Sequence, residues 1–378
     1  LALAREHEIT LLTFEKPALA RDSARLDALA RQCAGAGIDW HRLPYPHRPG
    51  LPATLYDVAQ GARVAARLAR EKRVQVIHTR SYVAGLMGML VKQRAGARQI
   101  FDMRGFWPDE RVDGGIWRRD GLPYRLAKRL ERALFTSADH VVSLTRAGVR
   151  EFSDFAYLAG RVPPVSVIPT CTNLDLFRPL DVPREGFTLG YVGSAGSWYM
   201  FDDVARTVAI LFEKLADARF LVLNKGGHAA IRAQLQAAGV DMARVELREA
   251  PYDEVGAQIA RMDAGLFFIR PAWSKRASCP TRMGEFLACG KPVLGNDGVG
   301  DVREIIAETG TGVCLPVSPQ GTIAPDVLPA ALDHLIAMAA DPGMAARCRA
   351  AAEAHVSLAG GVAEYDRIYR RLAGEGAE

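Results

Sequence analysis

Short apolar runs of about five residues alternate with longer stretches of helical period from the first residues onward. EITLLTF reads as a strand, a helix is expected near Ala18 to Ala36, and after a polar link a second helix runs from Leu55 to Arg70. The series continues with the strand VQVIHT, a helix from Tyr82, the strand RQIFDMR, an amphipathic helix from Tyr124, the strand HVVSLT, a helix from Arg146 and the strand VSVIPT. Such alternation builds a parallel sheet with helices on both faces, because parallel neighbours need a crossover between them.

Periodicity lapses in NLDLFRPLDVPREG, which collects Pro179 and Pro183, and FTLGYVGS then restarts the pattern. The boundary is therefore set near Pro179, giving units 1–179 and 180–378. The second series runs RFLVLNKG, VELREA, GLFFIR, PVLGND and GVCLPV, with helices beginning near Phe201, Ala229, Tyr252, Thr281 and Val302. From Ala324 onward the chain is Ala-rich and helical, broken at Pro342 and near Gly360. That last stretch is compatible with a helix that crosses back to the first unit and equally with a plain packing helix. At the other end LALAREHE reads as the end of a helix and EITLLTF as a second strand, so a first strand and its Gly-rich turn are expected to be missing.

A chain of 378 residues with 49% apolar and 24% charged positions is an ordinary globular composition, which excludes disorder, collagen and coiled coil. Six cysteines without a Cys-x-x-Cys pair signal neither a zinc site nor a disulfide framework, which fits the cytoplasm. No apolar run has the length of a membrane span. The net charge of +5 hides an asymmetry: residues 1–180 hold 28 Lys and Arg against 18 Asp and Glu, and the remainder 20 against 25. Much of the excess lies in WRRDGLPYRLAKRLERALF, where Arg118, Arg119, Arg125, Lys128, Arg129 and Arg132 interleave with leucines. This basic amphipathic helix is either a docking face for the anionic inner surface of a membrane or a solvated helix face. The basic residues form no RNA or DNA motif, so nucleic acid is not expected as a partner.

Ligands of open parallel sheets sit beyond the carboxyl ends of the strands. Four such places carry chemistry. GYVGSAGSWY sets Gly190, Gly193, Ser194 and Gly196 between a strand and a helix, either a close approach to a phosphate or only a tight turn. In SCPTRMGEFLACGKPV, following Ser278, Pro280 and Thr281 open a helix whose free N–H groups suit a diphosphate, with Lys275, Arg276 and Arg282 adding charge. Glu285, one turn further, can accept hydrogen bonds from a ribose diol. FDMRGFWPDE presents Asp102 and Arg104 on the cleft side, with Trp107 and Pro108 in a rigid aromatic loop; a structural Asp–Arg pair is the alternative. Lys225 in NKGG and Arg270 in FFIRPAWSKR complete the cations, though each can equally be a strand-end surface charge.

VIPTCTNLDLFRP resembles the interdomain linker of the GT-B glycosyltransferases of family 4, and ACGKPVLGNDGVGDVREII is similar to their donor-site block. The resemblance covers nearly the whole chain and is strongest from Val167 to Ile306; YVGSxGxWY with SCPTRxxEFLAxGKPV resembles an envelope and exopolysaccharide branch. It implies an α/β fold of two Rossmann-like domains facing each other across a cleft, with C-terminal helices. It also implies retaining transfer of a sugar from a nucleoside diphosphate sugar on the second domain to a glycan, lipid-linked or small-molecule acceptor on the first, with no metal and no further cofactor. Glu285 then matches the family's ribose-binding glutamate, and Asp102, Arg104 and Lys225 are the residues nearest the reaction.

Three departures stand out. Ala277 replaces the first glutamate of the family's pair, Ser194, Ser197 and Tyr199 replace the Arg and Lys after the first donor-domain strand, and no histidine stands at FDMRGFW. A nicotinamide oxidoreductase lacks its early G-x-G-x-x-G here. A GT-B epimerase of nucleotide sugars or a catalytically silent GT-B binding protein remain as alternatives.

Overall fold

The structure, a computed structural model, describes residues 1–16, 21–45, 51–183, 185–196 and 198–374. Residues 18–20 of the first expected helix, and Ser197, lie outside these.

The first domain runs β1 (Thr10–Glu15), α1 (Ser23–Gly35), β2 (Asp39–Pro44), α2 (Leu51–Glu71), β3 (Val76–Arg80), α3 (Tyr82–Ala95), β4 (Arg98–Asp102), α4 (Trp107–Asp113), α5 (Leu122–Ser137), β5 (His140–Ser143), α6 (Arg146–Ser153) and β6 (Val165–Val167). Strands β3, β4, β5 and β6 form one parallel sheet in that order, and β1 pairs with β2 in a separate parallel ribbon. Strands β4 and β5 are buried almost end to end around Ile100, Phe101, Val141 and Val142, as strands covered on both faces must be.

The second domain comprises β7 (Thr188–Val192), α7 (Phe201–Lys214), β8 (Arg219–Leu223), α8 (His228–Ala237), β9 (Val245–Arg248), α9 (Val255–Ala260), β10 (Ala264–Leu266), α10 (Thr281–Ala288), β11 (Val293–Asn296), α11 (Val302–Thr309), β12 (Gly312–Leu315), α12 (Leu328–Ala340), α13 (Met344–Val356) and α14 (Leu358–Ala373). Its six parallel strands are ordered β12-β11-β10-β7-β8-β9, so the order reverses between β7 and β10. The loops after those two strands therefore diverge and leave a crevice at the carboxyl edge.

Three elements differ from the reading of the sequence. The polar link after Ala36 contains β2, an edge strand whose Asp39, His41 and Arg42 hide its alternation. The aromatic loop at Trp107 is the first turn of α4, with Pro108 where a helix loses no hydrogen bond. The C-terminal break falls at Ser357, whose side chain accepts from Gly360 N and caps α14, rather than at Gly360. Helix α14 packs on the first domain: Ile368 joins Ile100, Val142 and Ile168 in one buried cluster. Among the described residues no helix is long and apolar enough to cross a membrane.

Candidate functional site

At the crevice of the second domain lies a cavity of about 540 Å³. Its floor is the end of β7. Gly193 follows the strand at φ +106°, and a Cβ there would stand 2.6 Å from Nη2 of Arg282, so the glycine admits the guanidinium against the backbone. Gly190 serves packing instead, because a Cβ on it would collide with Met262 Sδ. Ser194 lines the cavity and its Oγ accepts from Gly196 N at 3.2 Å; Gly196 shapes the turn and is not in the lining.

Arg282, on the first turn of α10, is 7% exposed. Its guanidinium lies 4.3 Å from the Tyr199 ring and 4.9 Å from the Tyr191 ring, and Nη2 reaches the Ser194 carbonyl at 3.5 Å. Nη1 is buried without a hydrogen-bond partner among the described residues. Unsatisfied buried donors are rare and costly in proteins. The two tyrosine faces hold the cation.

Pro280 stands at the N-cap of α10 and Thr281 opens the helix, both on the cavity wall, and no side chain caps the helix. Its first N–H groups and dipole are available to an anion there. Ser278 precedes them in the same wall. One turn on, Glu285 is 7% exposed, and burial raises its carboxyl to about 7 against the pull of Arg282. Tyr252 lines the opposite side.

The cations of the sequence reading divide. Lys275 lines the cavity but is already engaged: Nζ lies 3.1 Å from Glu110 Oε1 of the first domain and 3.9 Å from the Trp198 ring. Lys225 and Arg270 are exposed and neither lines this cavity, although Arg270 N bonds the Trp198 carbonyl at 2.9 Å. Arg276 pairs with Glu151 across the domains and is not part of the cavity lining.

The segment 273–278 joins the two domains. Trp273 stacks on Phe106 at 4.4 Å and donates Nε1 to Glu151 at 2.7 Å. Ser274 N reaches Asp113 at 3.2 Å and Thr145 Oγ1 donates to the Arg276 carbonyl at 2.6 Å. Ala277 is fully buried in the first-domain cluster with Phe106 and Phe152. A glutamate there would put a carboxylate into an apolar cluster, which accounts physically for the alanine. Nearby, Asp301 of the second domain accepts from the N–H groups of Arg146 and Ala147, at 2.6 and 2.8 Å, and caps α6 across the interface.

Asp102 and Arg104 line a different cavity, of about 690 Å³, at the carboxyl edge of β3 and β4 under α14. Asp102 is 4% exposed; Tyr365 donates to its Oδ2 at 3.2 Å. Between the two lies a third cavity, of about 280 Å³, that shares Cys279 and Pro280 with the first and Leu144, Ile168, Pro169 and Gly361 with this one. Sequence reading missed His78, Arg80, Tyr365 and Tyr369 here; only the rule that strand ends carry ligands pointed to the first two.

Residues 1–171 match the glycosyl transferase 4-like domain family. A D-inositol 3-phosphate glycosyltransferase from Streptosporangium roseum is 26% identical over 190 residues, 47% of this chain and 42% of that protein, so the match spans less than half of the relative. Sucrose-phosphate synthase from Thermosynechococcus elongatus superposes with a TM-score of 0.70 at 15% identity, over 97% of this chain and 99% of that one. The Anabaena protein HepE, in complex with UDP, gives 0.67 at 13%, over 98% and 94%. The chain as a whole has the GT-B fold of the group 1 glycosyltransferases, two Rossmann-like domains with a helical C-terminus.

Proposed function

We propose that the chain is a retaining glycosyltransferase that moves a sugar from a nucleoside diphosphate sugar in the second domain to an acceptor at the first. The observation that carries this reading is Arg282, buried under Gly193 beside the uncapped start of α10, with Nη1 unpartnered and Glu285 one turn away. That set offers a cation and free N–H groups to a diphosphate and a carboxylate to a ribose. The UDP complex of HepE on the same fold supports the donor class. In the reaction the C1–O bond to the diphosphate breaks and the acceptor oxygen bonds C1 on the same face. The acceptor proton passes to the leaving phosphate. Arg282 and the helix N-terminus stabilise the developing charge, so no metal is assigned.

The acceptor is a glycan, lipid-linked or small molecule of envelope or exopolysaccharide synthesis, met on the cytoplasmic side of the membrane. The surface of α5 supports a peripheral position. Lys128 is withdrawn by Asp109 and Glu131, and Arg118 by Asp120, but Arg125, Arg129 and Arg132 stay exposed beside exposed Leu122 and Leu126. Cations around exposed leucines suit an anionic lipid surface. Failure to cosediment with acidic vesicles at low salt removes this part of the proposal.

A thermal-shift panel of UDP, GDP, CDP, dTDP and ADP, repeated with Glu285→Ala, tests the donor site. One diphosphate should raise the melting temperature and the variant should lose the rise. Silence from every nucleotide rejects the transferase reading. A bound nucleotide sugar turned into its epimer without acceptor would favour an epimerase, and binding with no turnover a silent GT-B protein, the reading that Ala277 favours.

A further inference from the structure

Strands β3 and β4 end side by side, with Arg80 paired in register to Asp102. Around them gather His78, Arg104, Tyr365 and Tyr369. Asp102 Oδ2 receives the Tyr365 hydroxyl, with His78 Nε2 at 3.9 Å and Arg80 Nε at 4.0 Å, while Oδ1 is buried without a partner among the described residues. His78 is held from its other side, Nδ1 lying 2.7 Å from the Tyr369 hydroxyl. Arg104 sits two residues past Asp102 at φ +64°, a left-handed backbone that a non-glycine residue adopts at a cost. Its guanidinium is half-buried and makes no hydrogen bond or ion pair among the described residues. Burial and Arg80, which lines the same cavity, both weaken its hold on its proton.

Asp102, already engaged by a tyrosine, thus has Arg80 at 4.0 Å, while the unpaired Arg104 lines the same cavity two residues on. A cation held half-buried, next to a like charge and without an acceptor, is stabilised by an anion that bridges the pair. The unpartnered Oδ1 of Asp102 adds a lone acceptor for a hydroxyl of the same molecule. Resting on the reading of the chain as a sugar transferase, we propose that the acceptor is an anionic sugar, its phosphate or carboxylate seated between Arg80 and Arg104 and a hydroxyl directed to Asp102. A cavity of about 280 Å³ leads from this site, at Leu144 and Ile168, to the donor cavity at Cys279 and Pro280.

Binding can be tested without turnover. Calorimetric titration of the full chain uses glucose 6-phosphate, glucuronate, inorganic phosphate and uncharged glucose as probes, with Arg80→Gln, Arg104→Gln and, as a donor-site control, Arg282→Gln. The expected result is that glucose 6-phosphate or glucuronate binds at millimolar concentration or better and glucose does not. The phosphate and glucuronate arms separate a phosphate from a carboxylate acceptor. Arg80→Gln and Arg104→Gln should each weaken binding by about tenfold, while leaving the nucleoside diphosphate response in place. Arg80 is exposed, so its variant folds even where that of Arg104 does not. Anion binding that survives both substitutions, or is lost instead in Arg282→Gln, overturns the proposal, as does the absence of binding by every anion. A chain that binds nucleotide but no anionic sugar keeps the transferase reading and loses this one; a chain that binds the anion but no nucleotide keeps an anion site and loses both the transferase reading and the acceptor role built on it.

Discussion

Glu285 is the residue whose function should be most visible as a cost to stability. Its carboxyl is pushed to about 7 by burial, against an ordinary value of 4.5. A carboxyl whose affinity for its proton is higher when folded adds stability below the lower value, and that stability drains away as pH rises through the higher one. At about 1.4 kcal/mol per pH unit, the ionised form burdens the fold by about 3 kcal/mol above pH 7 and by less than about 1 kcal/mol at pH 5. Glu285→Gln removes the charge and keeps the shape. Urea unfolding of both proteins at pH 5 and pH 8 should therefore show the variant gaining about 2.5 kcal/mol on the parent between the two pH values, other titrations cancelling in the difference. In the same samples the variant should lose its stabilisation by nucleotide. A stability difference that does not move with pH refutes the reasoning, because burial then does not penalise the charge; a variant that still binds nucleotide fully removes the carboxylate from the donor site.

Nucleotide binding, if the ribose is held by the ionised Glu285, should release a proton at pH 6, seen as a binding heat that depends on the ionisation enthalpy of the buffer, and affinity should weaken as pH falls below 7. Gly193→Ala meets both a φ of +106° and Arg282 Nη2; a loss of about 1 to 3 kcal/mol in stability and a weakened nucleotide shift are expected by thermal melting. Trp273→Ala removes the ring stacked on Phe106 and the bond to Glu151, so about 2 to 4 kcal/mol of contact between the domains should go, read as a larger radius of gyration in small-angle scattering with each domain still folded. Replacing Arg125, Arg129 and Arg132 by Gln should abolish cosedimentation with anionic vesicles and leave nucleotide binding unchanged.

Much of the architecture was legible in the sequence because buried parallel strands leave apolar runs that need no partner to be recognised. The four places chosen at strand ends include both cavities for the same reason. What escaped is set by tertiary partners. The polar residues of β2 conceal a strand that only β1 defines, and Arg282 is distinguished from Lys225 and Arg270 only by the two tyrosines and the glycine that bury it. No local spacing shows that Tyr365, more than 260 residues away, closes over Asp102.

The segment 273–278 shows why the departures from the family pattern belong together. Lys275, Ser278 and Arg282 border the donor cavity, while Trp273, Ser274 and Ala277 are committed to the first domain. A side chain at 277 cannot both fill that apolar cluster and reach a sugar, so adopting this contact removes the first glutamate from the site. Lys275 is drawn to Glu110 by the same docking and gives up its availability as a free cation. On the proposed reading the charge for a diphosphate then falls to Arg282, which is seated against the glycine at 193 and between the Tyr191 and Tyr199 rings. One interdomain contact thus accounts for the alanine at 277, the engaged lysine and the displaced arginine, and it makes donor binding dependent on the first domain: Glu110→Gln, by freeing Lys275, should tighten nucleoside diphosphate binding, whereas no change in affinity would show that Lys275 takes no part in the site.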